Sequence, residues 1–315
     1  MELPLFDDFL LFLKTNKYSA ETIYNYERDL ITFTGFLSSS PDLSFEKISK
    51  RTIDQYKAYL VSRDRQTPVK GEKGADLSSY SINRMLSAVR RYLKYLVDND
   101  EPVPIPPEAI RLVKTEKKHP RVAELEDLVR LIESPQALEQ DALVGLRNRT
   151  IFEVLFSTGM RISELVHLNK ADIDKTGRIF VMGKGKKERF VYLTPRAQNI
   201  LDRYLVTRND NFEALFIPYS GLNVRHKNKR LSANYIQAKI KRYREKLKIN
   251  LPISAHSLRH GFATYLAEEG ASPAAIQILL GHESLDTTTR YVHASDRFAE
   301  ETHRKFHPLK ERKSL

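Results

Sequence analysis

The sequence contains no cysteine. Disulfides and thiolate-bound zinc are therefore excluded. No apolar run approaches the roughly 18 residues that a membrane-spanning helix needs. The opening MELPLFDDFLLFLKTN carries acidic residues inside its apolar run and lacks a basic start. It reads as a helix and not as a signal peptide, so a cytoplasmic location is expected. No G-x-x-x-x-G-K-[ST] frame surrounds the one Gly-Lys-Gly turn, which rules out a phosphate-binding loop of that kind there. The phrase HSLRH places His256 and His260 four residues apart, a spacing that can bind zinc, but it lacks the glutamate of H-E-x-x-H and an evident third ligand.

What the chain has is length, apolar content and positive charge. Its 315 residues suggest about two domains, and 41% hydrophobic residues suffice for two cores. Lys and Arg number 52 against 40 Asp and Glu, a net charge of +12. A polyanionic partner suits that surplus, because neutralising phosphates releases counterions. Charge alone fits a basic soluble protein of another kind equally well.

The first 112 residues read as helical. In Glu21 to Leu37 the apolar residues Ile23, Tyr26, Leu30, Phe33 and Leu37 recur at threes and fours behind a Ser19 cap. Ile53 to Val61 forms a shorter helix. In Tyr80 to Val97 the residues Ile82, Met85, Leu86, Val89, Leu93 and Leu96 make a core stripe, from which Arg84, Arg90, Arg91 and Lys94 fall away. Such a charged face is ordinarily solvated. Four prolines between Pro102 and Pro107 stop the helical pattern, and a charged stretch follows, which sets a linker at 113–122 between a domain at 1–112 and another at 123–315.

Beyond the linker the pattern mixes helix and strand. Asp141 to Thr158 reads as a buried helix ended by Gly159, with Arg161 at the junction to a short helix in RISELVHL. Ile179 to Leu193 reads as a β-hairpin with Lys184 near its tip. Ala197 to Leu205 and Ser232 to Leu247 follow as helices. Ser257 to Glu269 continues helically from His256, placing His256 and Arg259 on one face. Pro273 to Leu280 is a short helix that ends at Gly281 and delivers His282.

Four phrases then stand out: TGMRISEL around Arg161, GKGKKER around Lys184, HSLRHGF around His256 and Arg259, and GHESLDTTTRYVH around His282 and Tyr291. Together they supply what is needed to attack a phosphodiester with a phenol and no metal. Arginine forks can clamp two non-bridging oxygens while charge builds there. Tyrosine, with a reference pKa of about 10, needs a neighbour to take its proton. A lysine can protonate the departing sugar oxygen. Singly each phrase is weak. A histidine after a glycine is ordinarily a cap, and a lone tyrosine is ordinarily packed.

In this order the four phrases resemble the tyrosine recombinases, the phage integrase family, and within it the Xer-type dimer resolvases. The likeness spans nearly the whole chain, from SAETIYNYERDL at Ser19 to the tail DRFAEETHRKFHP, and Tyr291 follows His282 by the family's nine residues. The resemblance implies a mainly α fold with a small antiparallel sheet in the catalytic domain, and a C-shaped DNA clamp in which a SAM-like helical core-binding domain precedes the catalytic one. It implies a catalytic set of Arg161, Lys184, His256, Arg259, His282 and Tyr291, with DNA contacts from Arg84, Arg90, Arg91 and Lys94. Tyr291 would form a 3′-phosphotyrosyl link that stores the bond energy, so neither ATP nor a metal ion is implied as a cofactor. The implied partners are double-stranded DNA with inverted half-sites and three further protomers, of the same chain or of a second recombinase, on two duplexes. A DNA translocase activator and residence at the nucleoid accompany the Xer role.

Some features depart from the short Xer pattern. Arg63 to Leu77 forms a longer loop, read as a tolerated surface insertion, with an accessory DNA contact as the alternative. No arm-binding segment precedes residue 1, which disfavours a phage integrase. Asp296 to His307 reads as a helix with Phe298 and Phe306 on one face; the resemblance implies that it docks in a neighbouring protomer, against folding back on its own domain. Three other functions share parts of this pattern: the recombinase of a mobile element, a type IB topoisomerase, and a DNA-binding protein without catalysis.

Overall fold

The structure is a computed structural model that describes residues 3–39, 42–62, 77–115, 122–182, 188–225 and 229–281. Lys184, His282, Tyr291, the 63–76 part of the long loop, residues 116–121 of the expected linker and the expected helix at 296–307 lie outside the described residues. The chain divides into two compact units, Met1–His119 and Pro120–Leu315.

The first unit is built from α1 (Phe6–Thr15), α2 (Ala20–Ser38), α3 (Lys50–Val61) and α4 (Ser79–Asp98). Serines start three of these helices. The side chains of Ser19, Ser49 and Ser78 accept from the amides of Thr22, Thr52 and Ser81, satisfying donors that a helix start leaves open. The expected stripe of α4 is buried throughout, and it meets Phe9 and Leu13 of α1 and Leu30, Phe33 and Leu37 of α2 in one core. Aromatic edges complete it: Phe9 meets Tyr92 at 5.6 Å, and Phe33 meets Tyr56 at 4.8 Å.

The proline-rich stretch after α4 folds back on the unit. Ile105, Pro107 and Ile110 are buried. Asn83 of α4 brackets the Val113 backbone, donating to its carbonyl at 2.9 Å and accepting from its amide at 2.8 Å. Helix α4 stops at Asp98, before the first proline, and the stretch up to Val113 is packed on the unit that precedes it.

The second unit surrounds α7 (Ala142–Thr158), which is buried on nearly every side, Ile151, Phe152, Val154 and Leu155 included. Asp141 caps its start, accepting from Leu143 and Val144, and Gly159 ends it at φ 62°. Around it lie α5 (Leu125–Glu133), α6 (Pro135–Leu138), α8 (Ile162–His167), α9 (Pro195–Val206), α10 (Ala233–Lys246), α11 (Ala255–Glu268) and α12 (Pro273–Leu280). The antiparallel pair β1 (Arg178–Met182) and β2 (Glu188–Tyr192) is in register with Phe180 opposite Phe190. Each strand buries alternate residues, Ile179 and Val181 in β1 and Arg189 and Val191 in β2, while Phe180, Met182, Phe190 and Tyr192 face outward. A fully inward arginine in that alternation needs a partner, and it has one in the site below.

Candidate active site

Three chain segments converge on the C-terminal end of α12. A helix leaves its last four carbonyls without partners inside the helix, and they carry partial negative charge. Here every one is taken. Gly281, at φ 64°, returns its amide to the Gln277 carbonyl at 2.8 Å and the Ile278 carbonyl at 3.1 Å. The Leu279 carbonyl accepts from Arg189 Nε at 2.9 Å, and the Leu280 carbonyl from Arg259 Nη2 at 2.7 Å. Arg161 Nη2 reaches the next carbonyl, that of Gly281, at 3.5 Å.

Arg259 sits on the first turns of α11, a helix started by the reciprocal Ser254 and Ser257 capping pair. It is 3% exposed. Its Nη1 donates to the Gly159 carbonyl at 2.8 Å, so this one side chain ties the end of α7 to the end of α12. Gly159 also touches α11 closely: a Cβ there would lie 2.3 Å from Phe262 Cδ1. The glycine is required both by its left-handed backbone and by that approach.

Arg161 stands at the entry to α8. Its amide donates to Glu164 Oε2 at 2.7 Å and its Nη1 to Glu164 Oε1 at 3.0 Å. The Arg161 side chain keeps 35% exposure, whereas Glu164 keeps only 5%. Glu164 in turn takes a two-pronged contact from Arg189, Nη1 to Oε1 at 2.9 Å and Nη2 to Oε2 at 2.7 Å. Burial would push the Glu164 carboxyl up, but the Arg189 bonds, the Arg161 amide and both guanidinium charges hold it below the usual carboxylate range.

His256 lies one turn before Arg259 on α11 and is open to solvent. Partial burial, then the charges of Arg259 and Arg161, push its imidazole below the ordinary histidine range, which favours the neutral, proton-accepting form. Its ring meets that of His260 edge to face at 4.2 Å. Among the described residues no cluster of three or more His, Asp, Glu or Cys completes a metal-binding group around this pair.

The structure thus brings Arg161, His256 and Arg259 to one place, and the chain leaves that place at Gly281 directly into His282. Glu164 and Arg189 belong to the same network and were not singled out from sequence. The detectable signal for Arg189 is a charge in phase with the buried Val191 of its strand; for Glu164 it is an acid three residues after an arginine at a helix start.

The four expected DNA-contacting cations lie in the first unit on α4. Arg84 donates to buried Asp29 at 2.5 Å, and the Arg91 guanidinium stands 5.5 Å from the centre of the Phe12 ring. Lys94 is exposed and Arg90 half-buried, both on the side away from the core. Burial raises the Asp29 carboxyl above the usual range against the lowering pull of Arg84 and Arg28.

Comparison with known proteins places this geometry. Residues 121–297 match the phage integrase family, and residues 6–100 match the phage integrase N-terminal SAM-like domain. Tyrosine recombinase XerD of Staphylococcus epidermidis is 31% identical, over 96% of this chain and 98% of its own. Tyrosine recombinase XerC of Chlamydia muridarum is 32% identical, over 95% of this chain and 96% of its own. The crystal structure of the XerH site-specific recombinase bound to difH substrate, a pre-cleavage complex, superposes with a TM-score of 0.68 at 25% identity, covering 89% of this chain and 78% of that one. The chain therefore belongs to the phage integrase family, the tyrosine recombinases, which cleave and rejoin DNA strands.

Proposed function

We propose that this protein carries out site-specific recombination of the Xer type, resolving chromosome or plasmid dimers, with Tyr291 as the nucleophile. Tyr291 attacks the scissile phosphate, forming a 3′-phosphotyrosyl bond and releasing a 5′-hydroxyl. Arg161 and Arg259 hold the non-bridging oxygens, His256 accepts the phenol proton, His282 donates a further hydrogen bond, and Lys184 protonates the leaving oxygen. The 5′-hydroxyl of the partner strand then attacks the phosphotyrosine, so bond number is conserved and no nucleotide is consumed.

The observation that carries this reading is the convergence of Arg161 and Arg259, from different helices, on the successive carbonyls of Gly281 and Leu280. Two guanidinium groups held side by side, with a neutral histidine one turn away, suit a phosphate better than a metal or a carbonyl. The relatives named XerD and XerC, and the XerH complex with its difH substrate, support the Xer role. The same reading assigns inverted half-sites, four protomers on two duplexes, a translocase activator and a place at the nucleoid.

The test begins with selection of a binding site by the full chain from random duplexes. A nicked suicide duplex carrying that site should then trap a covalent protein–DNA adduct, in chelator and without nucleotide. Tyr291→Phe should bind the site within a few fold and trap nothing. Adduct formation by the phenylalanine variant would remove the central assignment. A topoisomerase would instead relax supercoils without exchanging strands between two duplexes.

A further inference from the structure

Arg189 has all three of its guanidinium nitrogens committed. Nη1 and Nη2 grip the two oxygens of Glu164, and Nε holds the Leu279 carbonyl. Its side chain is 7% exposed, and each of these bonds goes to the protein. Its contacts run to the parts around it. Through Glu164 it reaches both the amide and the guanidinium of Arg161. Through Leu279 it reaches the end of α12, and its own stem lies against Gly281, where a Cβ would come within 3.0 Å of Arg189 Cδ. It belongs to β2, the strand that follows GKGKK in the sequence.

Resting on the recombinase reading above, we infer that Arg189 is a positioning residue for strand cleavage, setting Arg161 through Glu164 and the end of α12 through the Leu279 carbonyl, while touching no DNA itself. A guanidinium suits this task because one rigid plane meets a carboxylate with two bonds and a third group with another. An ammonium can carry the charge but cannot hold three partners in a fixed plane. Misplacement of a catalytic group by about 1 Å costs on the order of 100-fold in rate, so a buried side chain that aligns several groups can matter without meeting the substrate.

Two variants of the full chain test this on the selected suicide duplex, with the rate of adduct formation in a single turnover, the DNA affinity and the thermal melt all recorded. Arg189→Lys should stay folded and bind DNA within a few fold, while forming the adduct about 10- to 100-fold more slowly. Arg189→Gln should add a pH signature. Among the described residues, the charged groups facing Glu164 are Arg161 from the start of α8 and Arg189 from β2. With Arg189 gone, burial opposes ionisation of Glu164, and Arg161 is held well only where Glu164 is charged. The ratio of the Gln variant's rate to that of the unaltered chain should therefore rise with pH. If either folded variant cleaves at the unaltered rate, or if its loss of rate only follows its loss of folded protein with a flat pH ratio, the positioning role is wrong. Failure of the unaltered chain to form any adduct is a different result: it removes the recombinase reading, and the inference with it.

Discussion

Arg259 donates to the carbonyl of Gly159 at 2.8 Å, joining α11 to the end of α7 across 100 positions of sequence. The bond depends on Gly159 holding a left-handed backbone under the ring of Phe262. Replacing Gly159 with alanine adds a Cβ in a conformation that costs about 1–2 kcal/mol and forces it into an occupied space, which costs about 1–3 kcal/mol more. Gly159→Ala should lose about 2–5 kcal/mol in urea unfolding of the second unit. A loss below about 1 kcal/mol would mean that the ring moves aside freely.

The two arginines should separate by stability though not by rate. Arg161→Ala and Arg259→Ala should each slow adduct formation about 100- to 1,000-fold, the effect of losing one preorganised donor at a developing anion. Arg259→Ala also leaves the Gly159 and Leu280 carbonyls without their partner, at about 1–3 kcal/mol each. Arg161→Ala leaves Glu164 still paired with Arg189 and should unfold close to the unaltered midpoint. Equal destabilisation by both would contradict the division of labour described for the site.

The limits of sequence reading follow the range of the interactions. Caps and stripes are local, and they were legible: Ser19 starts a helix and Gly159 and Gly281 end helices where their residue types place them. Arg161, His256 and Arg259 come from distant stretches of sequence and lie near one another, a proximity that no local period encodes. Helix α5 and the short α6 were not picked out, since Glu124 starts α5 without a side-chain cap and the charged stretch before it masks the stripe of Leu128, Leu131 and Ile132. The pairs Glu164 with Arg189 and Asp29 with Arg84 link residues 25 and 55 positions apart, and no local period encodes either. The second pair alters the view of α4: Arg84 was grouped with the outward cations, yet its guanidinium is held by a buried acid.

That difference is measurable on DNA. Arg90→Ala and Lys94→Ala should each lower the slope of log affinity against log salt by about one, with little change in stability, if they meet phosphates. Arg84→Ala should behave otherwise, because it strands Asp29, 1% exposed, without its main counter-charge. A loss of about 1–3 kcal/mol is expected, below the usual figure for a fully buried pair since the Arg84 side chain is 40% exposed. Adding Asp29→Asn should restore part of that loss. If the double variant is no more stable than Arg84→Ala alone, the ion pair does not hold α2 to α4.

The pH dependence of stability offers a test that needs no DNA. His260, beside His256 and Arg259 on α11, has its imidazole pushed down to about 4, first by burial and then by those two neighbours. In the unfolded chain the same ring titrates near the ordinary histidine value of about 6.5. Between the two values the unfolded chain binds a proton that the folded chain refuses. Stability is therefore full above pH ~6.5, declines as the pH is lowered towards about 4, and changes no further through this group below that. His256, lowered in the same direction, adds to the decline. Solvent reaches part of the His260 ring, so the screened loss should be about 1–2 kcal/mol. Urea midpoints measured across this window should fall with acidity in the unaltered chain and fall less in His260→Gln. An identical slope in the two proteins would show that the proton is taken up elsewhere, and that the histidine pair on α11 is not where the folded site resists acid.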